Sequence, residues 1–236
     1  MRRNPSEPAR LCHYVHVRRI IRGDRPVDRL LNFSDAVVAV AITVLALPLF
    51  DFNGPQDGET VLDVLGRHQG QILTFASTFL VVGILWTVHN RVMNALDAYD
   101  PALFWLNICW LIGFVFLPWP SAMHAMDNGM AATGPFQSDG TGVLYWLTLA
   151  YISGVGALTS AYISHHTDLI RPEDVPAWQA MRHSRLRFRG LAFTTVFIVA
   201  AGLSLVYSWL GVFALFLLIP LNRIFNPASL DQSEEA

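Results

Sequence analysis

The chain has no lysine; all 16 of its basic residues are arginine. Charge of either sign is scarce, at 14% of 236 residues, where a soluble domain usually carries about 25%. That shortage argues against a large soluble helical domain. Cysteine is almost absent too. Cys12 lies in the N-terminal stretch and Cys109 inside an apolar run, which argues against a disulfide framework. Histidine is present but not in metal-ligand spacing: His165 and His166 are adjacent, and His13 and His16 stand alone,. No bound metal or cofactor is expected, and nothing points to a nucleic-acid partner. Residues 1–28 lack an apolar core of the kind a secretory signal needs,.

What is abundant is apolar sequence, 53% of the chain, with a mean hydropathy of +0.39. It falls into long uncharged runs, at about 29–50, 69–91, 101–120 and 141–164. Pro101 suits a helix start, and Pro118 with Pro120 reads as its end. Ser153, Gly154, Gly156, Ala157, Ser160 and Ala161 give the fourth run a small-residue face for close helix packing. Residues 190–222 carry no charge at all. As one helix they would measure ~50 Å, too long for a bilayer. They are expected to break near Tyr207-Ser208-Trp209 into two short helices, with Gly202 and Gly211 as other break points. The expectation is an all-α integral membrane protein with six transmembrane helices. Residues 1–28 form a basic arm able to touch anionic lipid, with a short interfacial helix at Val15–Ile21. Residues 29–224 form the membrane domain, and 225–236 a disordered tail.

Arginine placement orients the six segments. With the N-terminus inside, 15 arginines fall in cytoplasmic regions and only Arg67 falls outside. The outer loops instead carry Asp51, Asp57, Glu59, Asp63, Asp127 and Asp139. The expected location is the cell membrane, multi-pass, with both termini cytoplasmic.

The first run is unusual because an acid, Asp35, follows Arg29 by six residues near one end. Acids at membrane depth are costly and normally have a partner and a role. On a helical wheel Arg29, Phe33, Ala36, Val40, Thr43, Val44 and Leu47 lie within about 40° of one line, and Asp35 lies about 140° away. Trp86, His89 and Asn90 share a face of the second run, beside Arg91, at the same depth as Asp35. The expected arrangement is a polar clamp. Asp35 and Ser34 accept hydrogen bonds from the Trp86 indole and His89, and Arg29 or Arg91 supplies charge. The plainer alternative is a helix end where Ser34 or Asp35 caps or sits at the interface. A histidine beside a carboxylate is also a candidate pH sensor. The Val40–Leu47 stripe, taken alone, reads more readily as packing inside a monomeric bundle than as a pore lining.

Arg29-x-x-x-Phe33-Ser34-Asp35, the apolar helix after it, and Trp86-x-x-His89 together resemble the transmembrane protein 175 family, endolysosomal potassium channels and their bacterial relatives. The motif occurs once here, as in the bacterial members, which assemble as tetramers; the animal members carry it twice. The resemblance implies a homotetrameric potassium-preferring cation channel whose partners are its own copies, membrane lipid and permeant monovalent cations. It implies that the motif residues hold the first helix in place without touching the ion. Val40, Thr43, Val44 and Leu47 would line the central pore, with apolar side chains forming the constriction. The family often has Ile or Leu where this chain has Val40, so that ring would be wider and Leu47 becomes a candidate for the narrowest point. No T-V-G-Y-G run exists, so any preference for potassium arises without that carbonyl cage.

Other classes fit less well. An intramembrane hydrolase needs a nucleophile–base pair at mid-membrane, and the third to sixth runs offer no mid-membrane His, Asp or Glu, so no enzyme activity is expected. A secondary transporter wants helices broken at the midplane, and Pro48 lies too near its helix end. That class, with a proton-conducting leak, is the alternative.

Overall fold

In a computed structural model of the chain, residues 20–22, 24–126, 140–183, 189–206 and 211 are described. Helix α1 runs Asp24–Leu45, with Pro26 in its first turn, where a missing N–H costs nothing. It begins before residue 29 and does not reach 50 as an α-helix. Pro48 cannot donate to the ladder, so the chain tightens into a 3-10 turn over Leu47–Asp51. Ala46 N–H donates to the Thr43 carbonyl at 3.1 Å and Leu49 N–H to that of Ala46 at 3.0 Å.

The following loop is ordered by local polar bonds and carries a helix that the run pattern does not announce. Helix α2, Val61–Arg67, starts at a capping box between Thr60 and Asp63,. Arg67 spans back to both Glu59 oxygens at 2.9 and 3.2 Å. The Gln56 backbone N–H, then Arg67, hold the Glu59 carboxyl below its usual range. The Thr60 hydroxyl and backbone do the same for Asp63.

Helix α3 spans Gln69–Asn94 and α4 spans Pro101–Phe116, capped by Asp100 Oδ1 on Leu103 N–H at 2.9 Å. The prolines expected to close this segment do not. Helix α5, Pro118–Met126, continues it after a one-residue break, because Pro118 and Pro120 fall in a new first turn. Helix α6 spans Thr141–His165, α7 Val175–His183 and α8 Arg189–Ser204.

Among the described residues four helical stretches are long and apolar enough to cross a membrane: Pro26–Asp51, Gln69–Asn94, Pro101–Ala125 and Thr141–His165. Gly190–Ser204 is a shorter apolar helix. It ends between the expected break points, and the sixth segment lies outside the described residues, as do the tail and most of the arm. Ile21–Arg22, at the end of the arm, is a strand, β1, so the expected helix does not extend through Ile21. It pairs antiparallel with β2, Ala98–Tyr99.

Helix α1 packs on α3, α4 and α5; α6 packs on α4 and α5 and most extensively on α8. The small-residue face of α6 makes that last contact. Gly154 faces Thr194, Ala157 meets Gly190, and Thr194 Oγ1 donates to Ser153 Oγ at 3.2 Å. Two apolar cores result among the described residues. One is at mid-bundle, with Val38, Ala41 and Leu45 of α1 against Val81, Trp110 and Phe114. The other is at the end where the arm enters, with Val27 and Leu30 against Met93, Leu96, Leu103, Ile163 and Leu169.

Candidate functional site

The buried stripe of α1 sets the direction of everything else on it. Val27, Leu30, Ser34, Val38, Ala41 and Leu45 are buried at helical spacing, so the residues between them point away from the subunit. Val40 is 61% exposed, Leu47 56% and Val44 38%, while Val38 is 2% exposed. Arg29, Phe33, Ala36 and Thr43 are exposed on the same side. The face is apolar apart from Arg29 at its start and one hydroxyl. Thr43 Oγ1 donates to the Val40 carbonyl at 2.7 Å, which leaves oxygen lone pairs to face outward.

Asp35 sits half-buried at the α1–α3 seam. Trp86 Nε1 donates to Asp35 Oδ1 at 2.8 Å. His89 does not join this bond, contrary to expectation. Its Nε2 lies 3.0 Å from Asn107 Oδ1, and its ring stacks on Trp110 at 3.6 Å and 10°. Ser34 likewise turns away from Asp35: Asn107 Nδ2 donates to Ser34 Oγ at 2.8 Å, and Ser34 Oγ donates to the Leu30 carbonyl at 2.9 Å. Among the described residues neither Arg29 nor Arg91 pairs with Asp35, and both are exposed. The expected single clamp is therefore two ties. One is a charge-assisted bond between Asp35 and Trp86. The other is a neutral chain running His89, Asn107, Ser34, Leu30.

The chain has one direction. Asn107 spends its NH₂ on Ser34, so its carbonyl oxygen accepts from His89, and the imidazole proton sits on Nε2. Asn107, which lies wholly buried on α4, joins α1 to α3. The sequence reading missed it because it stands alone in an apolar run with no spacing to the motif; a single amide buried among aromatics was the available signal. His89 meets a neutral amide and an indole face, so the setting expected of a carboxylate-coupled pH sensor is not the one it occupies. Phe33, the remaining motif residue, is half-exposed beside Arg29 on the outward face. Among the described residues no group of His, Cys and acids is placed to hold a metal ion.

Residues 29–118 match the family model described as endosomal/lysosomal potassium channel TMEM175. Over 99 residues the chain is 38% identical to a protein of Streptomyces collinus named a potassium channel, covering 41% of this chain and 47% of that one. Over 156 residues it is 24% identical to the mouse protein named endosomal/lysosomal proton channel TMEM175, covering 66% of this chain and 30% of that one. In both relatives the aligned stretch is less than half of their length. In fold the chain resembles the crystal structure of a TMEM175 homologue from Chamaesiphon minutus, with a TM-score of 0.65 at 22% identity, covering 86% of this chain and all of that one.

Proposed function

We propose, starting from residues 29–118 that match the TMEM175 family model, that the chain forms a potassium-preferring cation channel in the cell membrane, with its termini on the cytoplasmic side. The observation that carries this reading is the outward face of α1, where Val40, Val44 and Leu47 stay exposed while Val38 is buried. One helix cannot enclose a path, so the face needs symmetric copies, most simply four about an axis. Val40, Val44 and Leu47 then stack as apolar rings, with Thr43 oxygens between the first two. A narrow apolar ring resists wetting and blocks ions without carrying charge, and a small widening opens it. The Asp35–Trp86 bond and the Asn107 chain hold α1 in rotation so that this face meets the axis. They touch no ion.

A proton-conducting path is the second reading, favoured by the name of the mouse relative. Flux into vesicles holding the purified chain separates the two readings. A potassium gradient should drive potassium entry that does not saturate and needs no coupled solute. Val40→Thr, nearly isosteric with a hydroxyl added, should leak more, and Leu47→Asn should raise flux and weaken ion discrimination. If protons move while potassium does not, the second reading holds. If neither Val40→Thr nor Leu47→Asn alters flux of either ion, α1 does not line the path.

A further inference from the structure

Leu47 continues the outward face of α1 but lies past the end of that helix. The α-helix closes at Leu45, Pro48 brings no N–H to extend it, and Leu47–Asp51 wind as a 3-10 turn. The joint is slight: Ala46 N–H donates to the Thr43 carbonyl and Leu49 N–H to the Ala46 carbonyl. Leu47 stands about 18 Å along the helix axis from Asp35, so the ties that set the rotation of α1 reach it through that joint. The buried stripe of α1 ends with Leu45 and no residue of the turn is buried, so the mid-bundle core does not seat it either.

The turn meets α3. It packs along that helix, and the next residue, Phe52, leaves it in an extended conformation. The Phe52 ring stacks on His68, with centroids 3.9 Å apart and planes 15° from parallel. His68 is itself fixed where α2 passes into α3. Its N–H donates to the Val64 carbonyl at 3.1 Å, its carbonyl accepts from Ile72 N–H at 3.1 Å, and its Nδ1–H donates to Gln71 Oε1 at 2.9 Å. A parallel ring pair fixes orientation as well as distance. The turn is therefore a strap, jointed to α1 at one end and clamped to the start of α3 at the other.

We propose that Phe52 and His68 are positioning residues for Leu47: their stack sets the outermost apolar ring from the outer loop, separately from Val40 and Val44, which the ties of α1 set. The inference rests on the reading that the outward face of α1 lines the path. With the stack lost, the strap pivots at Ala46 and Leu47 moves, while Val40 and Val44 stay. An apolar ring opens by a small widening, so the loosened strap leaks.

The test measures potassium and sodium flux into vesicles holding the full chain. Phe52→Leu, and His68→Leu from the other side of the stack, should each raise potassium flux several-fold and bring the potassium-to-sodium ratio toward one. Phe52→Tyr keeps a ring to stack and should restore both. Coupling decides between positioning and mere loop stability. Phe52→Leu should add nothing once Leu47→Ala is present, yet still act in Val40→Thr. Flux indifferent to Phe52→Leu, or an equal effect with and without Leu47→Ala, overturns the proposal. A second readout does not depend on conduction. In a Cys12→Ser, Cys109→Ala background, a nitroxide on Leu47→Cys should become more mobile with Phe52→Leu, and one on Val40→Cys should not. Unchanged mobility at position 47 overturns the clamp. Vesicles in which no variant passes a cation refute the channel reading, and the nitroxide result then decides the clamp by itself.

Discussion

Two ties fix α1, and they respond differently to substitution. Trp86→Phe keeps an aromatic ring, smaller than the indole, and removes the N–H that donates to Asp35, so it should cost on the order of 1.5–3 kcal/mol, the range for a bond to a charged group. Asp35→Asn should be milder than Asp35→Ala, and Trp86→Phe with Asp35→Ala should cost less than the sum of the two. Thermal melts of the purified protein in detergent check this; full additivity would mean the bond contributes nothing. Asn107→Leu leaves His89 Nε2 without its acceptor, at roughly 1–3 kcal/mol for a buried group left unpaired, and takes from Ser34 Oγ one of its two bonds, the one to the Leu30 carbonyl remaining, whereas Ser34→Ala strands one donor of Asn107 and should cost less. Equal melts for Asn107→Leu and Ser34→Ala would contradict that order. The approach of Trp86 to Asp35 was legible because an acid in an apolar helix has to find a donor and the second run offers few. The role of Asn107 was not legible: nothing in its local pattern says that an amide on a third helix will stand between Ser34 and His89.

Among the elements, the apolar runs were readable from length and charge alone, since a helix shorter than the hydrocarbon layer cannot cross it. Their ends were harder. Pro118 stops α4 yet starts α5, and α2 depends on a cap that only geometry completes. Glycines on helix contacts set separations that no run length encodes. A Cβ on Gly190 would lie 2.7 Å from Ala157 Cβ and 3.0 Å from its Cα, backbone that cannot step aside. A Cβ on Gly113 would lie 2.5 Å from Ile152 Cγ1, on a fully buried, β-branched side chain that is stiff at χ1 in a helix. Gly190→Ala should therefore destabilise the α6–α8 contact and Gly113→Ala the α4–α6 contact. Gly83→Ala, with open space around it, should be neutral or gain up to about 1 kcal/mol from helix propensity. Melts of the three variants rank them, and Gly83→Ala as the worst of them would refute the packing account. The outer loop has a pH signature of its own. Glu59 and Asp63 are held below their usual values, so their contribution is present above about pH 4 and is lost as pH falls through the lowered values. Amide protection of α2 should drop across that acid range in the parent, with a smaller drop in Asp63→Asn, where one of the titrating groups is gone.

At the scale of the whole molecule, arginine placement predicts which side each loop faces. A cysteine placed at Gly58 should react with an impermeant thiol reagent on intact cells, and one at Glu173 should not. Labelling at 173 would overturn the orientation. A mid-bundle core and an end core grip α1 at separate heights, with Ser34 between them. Val38→Thr tests this grip against the outward face. Val38 is buried in the mid-bundle core, so the added hydroxyl should lower stability and yield while leaving the flux per folded channel unchanged.

Both ties on α1 are made with α3 and α4. The hydrogen-bond partners of Asp35, Ser34 and His89 are Trp86, Asn107 and the Leu30 carbonyl, so every residue of the hydrogen-bond network lies before position 108. In a chain made from its N-terminus, α1 can therefore be turned and locked while α6 and α8 are still unsynthesised. The later spans then dock onto a first helix that is already set. A slow or mistaken insertion of α8 would leave an incomplete coat around a correctly oriented α1, whereas an error at Asn107 would misalign α1 before the rest of the protein exists to correct it.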